Sequence, residues 1–171
     1  ERVGNWAGVT VEKKEAPISK KFYASAEELI AVDLPGAYSM SPFTSEESIT
    51  SAYVKNANPD VIINVVDATN LSRSLFFTTQ LLELDVPVVV ALNKTDINDK
   101  KNTRINVAEL SKKLGCPVIE TVSTDEKGLE AVVKAAVNQY GKGQKAPYSQ
   151  GEVDMENKDE VMEADKKRFA F

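Results

Sequence analysis

Histidine is absent from this 171-residue chain, and cysteine and tryptophan occur once each, as Cys116 and Trp6. A single cysteine excludes an internal disulfide framework and fits a reducing cytoplasm. With no histidine and one thiol, a zinc or other soft-metal site has too few ligands. Long apolar runs are missing too: the longest mainly apolar stretches, 61–66 and 86–92, are far too short to cross a bilayer. The chain opens on Glu1 and Arg2 rather than an apolar stretch, so no secretory signal is visible. A net charge of −5 gives an extended nucleic-acid surface little support, so no nucleic-acid partner is expected. The phosphate-binding pattern G-x-x-x-x-G-K-[ST] occurs nowhere, and Gly141-Lys142-Gly143-Gln144-Lys145 lacks its frame and its hydroxyl. What remains is the composition of a soluble globular domain that binds a small ligand or a protein.

Two strand signals alternate with helical ones. Val61-Ile62-Ile63-Asn64-Val65-Val66 is β-branched and bounded by Pro59-Asp60 and Asp67-Ala68-Thr69; Val86 to Leu92 is similar. Such runs read as strands buried on both faces of a parallel sheet. Between them, Leu71, Leu75, Leu81, Leu82 and Leu84 fall near one face of a helix. Upstream, Leu29 to Val32 reads as a short strand ending at Asp33, with Val9 to Ile18 as its edge partner, and Ser45 as the N-cap of a helix running to about Lys55. Downstream, the pattern predicts a helix over 106–114, a strand over 118–121 and a helix over 128–140 stopped by Gly141-Lys142-Gly143. The architecture is α/β with a mostly parallel sheet. Residues 1–140 form the domain and 141–171 a polar linker or tail with room for a helix or two.

Ligands in such sheets sit beyond the carboxyl ends of the strands, where three polar clusters fall. In Asp33-Leu34-Pro35-Gly36, the aspartate can hold Mg²⁺ through water and the glycine lets a backbone amide approach a phosphate. Chance alone supplies D-x-x-G in roughly half of chains this long, so a plain Pro-Gly turn remains an alternative. In Asn93-Lys94-Thr95-Asp96, the carboxylate can accept from the N1 and N2 donors of guanine, a pattern adenine cannot offer. Here the asparagine ties neighbouring loops and the lysine stem covers the base. N-K-x-D arises by chance in only about 2% of such chains, the alternative being a polar turn. Thr121-Val122-Ser123 follows the last strand, where its backbone amides can face the base oxygen. A loop merely rich in hydroxyls is the alternative there.

The order D-x-x-G, N-K-x-D, then a serine loop, each after a strand, resembles Ras-like P-loop GTPases. Val3-Gly4-Asn5-Trp6-Ala7-Gly8-Val9-Thr10-Val11 resembles the switch segment of the ferrous-iron transport protein B family, V-G-N-W-P-G-V-T-V. The segments 33–40 and 65–71 resemble that family too, and the likeness runs from Glu1 to about Tyr140.

That resemblance implies a GTPase domain of a ferrous-iron transporter, with GTP hydrolysis coupled to Fe²⁺ uptake through a membrane transport domain of the same protein. It further implies that Thr10 coordinates Mg²⁺ and closes over the γ-phosphate. Asp33 would hold the Mg²⁺ through water, and the Gly36 amide would sense the γ-phosphate. Asn93, Lys94 and Asp96 would select GTP or GDP, helped by the amides of Val122 and Ser123. Backbone carbonyls near Gly4 and Trp6 would help hold K⁺. Asp165-Lys166-Lys167-Arg168-Phe169-Ala170-Phe171 resembles the stretch leading into the transport domain, and its basic cluster fits the cytoplasmic face of the inner membrane, a frayed helix end being the alternative.

Departures from the pattern carry expectations of their own. Ala7 stands where the family has proline, T-V-S stands where many GTPases have S-A, and Ala37-Tyr38 follow Gly36 where a water-orienting glutamine would sit. The first strand, P-loop and first helix are absent, so the chain is expected to be a piece of a longer one and inactive alone. Strands 29–32 and 61–66 should then have unpaired edges, be bridged by the tail around 161–171 or a second chain, or close on each other. A second chain would make an oligomer. The alternative functions are a non-hydrolysing nucleotide-binding or protein-interaction module and a ribosome- or tRNA-modification-type GTPase.

Overall fold

The computed structural model describes residues 2–5, 12–24, 27–40, 45–100, 103–148, 153–154 and 157–171. Contacts divide the chain into two units, Glu1–Asn58 and Pro59–Phe171.

In the second unit, β4 (Ile62–Asp67), β5 (Val88–Asn93) and β6 (Val118–Thr121) form a parallel sheet in the order β4-β5-β6. β5 lies in the middle, and Val88, Val89, Val90 and Leu92 are fully buried, as its unbroken apolar run predicts. β4 departs from expectation. Asn64 and Val66 are buried, but Ile63 is 39% and Val65 66% exposed, so this strand is buried on one face rather than two. A β-branched run looks the same in either case; β4 pairs only with β5 among the described residues.

Three helices pack on this sheet in the predicted places: α2 (Leu71–Leu82), α4 (Val107–Leu114) and α5 (Leu129–Gln139). Asn106 caps α4 by accepting from the Glu109 amide at 3.1 Å, and Gly115, at φ 70°, closes it. α3 (Thr95–Lys100) was not legible in the sequence, because T-D-I-N-D-K has no apolar period.

The tail also folds. α6 (Lys158–Ala170) is capped by Asn157 and lies on α2, so it is no strand bridging a sheet edge. Arg168, 6% exposed, donates from Nε and Nη2 to both oxygens of Glu83 at 3.0 and 2.7 Å, and from Nη1 to Asp165 at 2.6 Å. Burial disfavours the guanidinium charge, but the Glu83 and Asp165 carboxylates outweigh it and raise its pKa. The Tyr148 hydroxyl donates to the same Glu83. Phe169 stacks on Phe76 with ring centroids 4.5 Å apart.

In the first unit, β1 (Arg2–Asn5), β2 (Glu12–Pro17) and β3 (Ile30–Asp33) form an antiparallel sheet, with α1 (Ser45–Asn56) following. The segment expected at an edge, β2, is instead the middle strand, because 2–5 pairs along its other side. Ser45 is the first residue of α1 rather than a cap outside it. Among the described residues β3 pairs only with β2, so β3 and β4 each keep an unpaired edge, one of the outcomes expected from the sequence.

Candidate functional site

The register of the parallel sheet sets Asp67, Asn93 and Thr121 side by side at the carboxyl ends of β4, β5 and β6. The predicted guanine-reading segment begins in that row. Asn93 works as a brace toward β6: its Nδ2 donates to Ser123 Oγ at 3.1 Å. Its Oδ1 accepts from the Ser123 amide at 3.1 Å and the Thr121 hydroxyl at 3.2 Å. The expected tie between loops is therefore made, and it fixes Ser123.

Lys94 turns the chain. Its φ of 64° lies in the left-handed region, costly for a residue with a Cβ, and lets the strand pass at once into α3. Asp96 consequently stands in the first turn of α3, its side chain 41% exposed, with Lys100 Nζ 3.9 Å away. A carboxylate so placed is open to a ligand with paired N–H donors.

The amides of the last loop are engaged differently from the sequence expectation. The Val122 amide donates to the Lys127 carbonyl at 3.1 Å, and the Ser123 amide is taken by Asn93. A three-residue turn, Ser123–Asp125, follows, and the loop closes on Gly128. Gly128 is at φ 81°, and a Cβ there would meet the Glu120 carbonyl at 2.2 Å, so the turn requires glycine.

Sequence reasoning gave no site role to two residues here. Asp67 Oδ2 accepts from Lys94 Nζ at 2.6 Å, and Asp67 Oδ1 accepts from the Thr69 amide at 2.9 Å and hydroxyl at 2.6 Å. The Lys94 ammonium first, then the Thr69 hydroxyl, hold the Asp67 carboxyl down to about 2. Asn98, buried on α3, donates to the Ala68 carbonyl at 2.8 Å. The available signal was positional: Asp67 ends the strand beside the one that ends in Asn93.

The phosphate-side candidates belong to the other unit. Asp33 is the exposed last residue of β3, opposite Lys14. Gly36 is exposed, with open space where a Cβ would stand. The preceding Pro35 carbonyl accepts from the Thr50 hydroxyl of α1 at 3.1 Å, which ties the turn down. Gly4 lies in β1 opposite Lys13. Thr10 and Trp6 lie outside the described residues. No group of three or more histidine, cysteine, aspartate or glutamate side chains occurs among the described residues that could hold a metal alone. Asp33 offers the hard oxygen donor that suits Mg²⁺, which ordinarily takes one or two carboxylates together with waters and phosphate oxygens.

A family model described as ferrous iron transport protein B matches residues 1–136. The Fe(2+) transporter FeoB of Escherichia coli (strain K12) is 49% identical over 144 residues, covering 82% of this chain and 18% of that protein. FeoB of Salmonella typhi is 47% identical over the same coverage, so the chain spans under a fifth of these relatives. Among solved structures, an S. thermophilus NFeoB mutant bound to mGDP superposes with a TM-score of 0.75 at 46% identity, over 82% of this chain and 52% of that one. The cytosolic domain of the T. maritima FeoB iron transporter in its GMPPNP form gives 0.78 at 33% identity, over 88% and 59%.

Proposed function

Because the chain belongs to the ferrous iron transport protein B family, we propose that it is the guanine-nucleotide-binding part of a transporter whose GTP hydrolysis is coupled to Fe²⁺ uptake. The observation that carries this reading is the end of β5, where Asn93 is bonded to Thr121 and Ser123, Lys94 turns the backbone, and Asp96 is left open. Asp96 reads guanine N1 and N2, and the stem of Lys94 covers the base. With the Val122 and Ser123 amides engaged, the base oxygen falls to the next amide of the turn, that of Thr124.

On the phosphate side, Thr10 and Asp33 would hold Mg²⁺, Asp33 through water, and the Gly36 amide would meet the γ-phosphate. The bound ion would neutralise charge on the phosphate oxygens. Carbonyls near Gly4 and Trp6 would provide for K⁺. Residues 1–140 form the nucleotide domain, and 141–171 lead toward a membrane domain at the cytoplasmic face of the inner membrane. No helix of the described residues is itself long and apolar enough to span one.

The chain lacks G-x-x-x-x-G-K-[ST], and Ala37-Tyr38 follow Gly36. Both facts favour a non-hydrolysing role for this stretch by itself, and no GTPase turnover is expected from it with or without K⁺. Phosphate release above background from a clean preparation would contradict that.

The test of the main reading is nucleotide titration of the full-length protein. Each guanine donor left unpaired in a closed site costs about 1–3 kcal/mol. Asp96→Ala should therefore weaken GDP on the order of a hundredfold while leaving ADP unchanged. An unaltered GDP/ADP preference would refute the assignment.

A further inference from the structure

The sheet end holds a second brace that the guanine reading does not use. Asn93 reaches to β6, whereas Lys94 reaches the other way, its Nζ on Asp67 Oδ2 at the end of β4. The two first residues of the N-K-T-D segment are thus pinned in opposite directions along the row Asp67, Asn93, Thr121.

An exposed lysine–carboxylate pair alone is worth little, and these side chains are 50% and 33% exposed. Two features set this pair apart. The carboxylate is also held from its other side, because Thr69 donates to its second oxygen through both amide and hydroxyl at 2.9 and 2.6 Å. The turn that carries it is fastened to α3 by a second, buried bond, Asn98 Nδ2 to the Ala68 carbonyl. Since α3 also bears Asp96, the turn after β4 is tied on one side to the lysine and on the other to the helix of the guanine-reading carboxylate. A free lysine stem samples many rotamers, and fixing it on binding costs affinity.

We propose that Asp67 is a positioning residue for guanine recognition, holding the Lys94 ammonium so that the aliphatic stem is already set as one wall of the base site. Asn98 and Thr69 hold the turn from which Asp67 acts. This rests on the assignment of Asn93–Asp96 as the base-reading segment.

The experiment is equilibrium binding of fluorescent mGDP to the full-length protein, with ADP as competitor, for Asp67→Ala, Asp67→Asn, Asp67→Glu, Lys94→Met and the Asp67→Ala/Lys94→Met double variant. Asp67→Ala and Asp67→Asn should each weaken mGDP about tenfold, and Asp67→Glu should recover most of that. The melting temperature without nucleotide should stay within about 2 °C. In the Lys94→Met background, which keeps the stem and removes the ammonium, Asp67→Ala should have no further effect. Wild-type affinity in Asp67→Ala, or a loss that is undiminished in the Lys94→Met background, would overturn the proposal. So would a loss that tracks a fall in melting temperature and is not relieved by Asp67→Glu. Asp96→Ala separates the two readings. If it abolishes guanine preference while Asp67→Ala does nothing, only the positioning role falls; if preference survives, the base-reading assignment falls and this inference with it.

Discussion

Compare the supports beneath the two sets of candidate residues, one in each unit. Asn93 follows four fully buried side chains in β5, flanked by a strand on each side. Asp33 follows Ile30, which is 54% exposed, on a strand with one partner among the described residues. The residues assigned to the base are held by packing that exists without a ligand. Those assigned to phosphate and Mg²⁺ stand on a ribbon with little apolar burial of its own, the kind of element that opens at low cost. If the proposed assignments hold, the base side is preorganised and the γ-phosphate side stands on the part with less apolar burial.

Four measurements break or sharpen that contrast. The largest effect is expected from Leu92→Ala, which empties a fully buried position beside Asn93 and should cost about 2–5 kcal/mol in urea unfolding. Ile30→Ala should stay within about 0.5 kcal/mol. Equal losses would mean that the ribbon is as much core as β5. Arg168→Ala comes next: it leaves the Glu83 carboxylate without its buried guanidinium partner, at about 3 kcal/mol, and should speed proteolysis of α6. Undiminished protection of α6 would show that Phe76–Phe169 stacking suffices.

Gly128→Ala should cost about 1–3 kcal/mol, from the Glu120 contact and the positive φ together, and should shift the amide resonances of 122–125. Silence there would detach the loop from the helix that follows it. The smallest effect is in pH. Asp67 titrates at about 2 when folded against an ordinary 3.8, so its pair with Lys94 is intact above the ordinary value. The contribution is lost only as pH falls from there toward 2. The ¹³C shift of its carboxyl should be flat from pH 7 to 5; a midpoint near 4 would mean the pair does not persist in solution.

The parallel strands and the N-K-T-D segment were legible because their signals are local: a β-branched run between turn residues, then a rare tetrapeptide at its end. Illegible parts depend on distant partners. β2 became a middle strand only through 2–5, whose pairing no local pattern announces. The exposure of Val65 reflects a position at the side of the sheet, which composition cannot report. α6 docks through Arg168 and Glu83, 85 residues apart, and a search for apolar period passes over a helix anchored by charge. The direction of the loop amides is not local either: the Ser123 N–H turns back to Asn93, 30 residues away.

The left-handed backbone at Lys94 bears on how such a site would decay over generations. Valine, isoleucine and threonine are disfavoured there by backbone sterics whatever their chemistry, whereas glycine or asparagine adopts the conformation readily. A descendant carrying either would lose the stem and the charge yet keep the strand, the turn and α3. Its fold would record little of the loss beyond the missing pair with Asp67. If Lys94 covers the base as proposed, position 94 is a better witness of retained nucleotide reading than overall similarity, because the substitutions the backbone tolerates best there remove the stem.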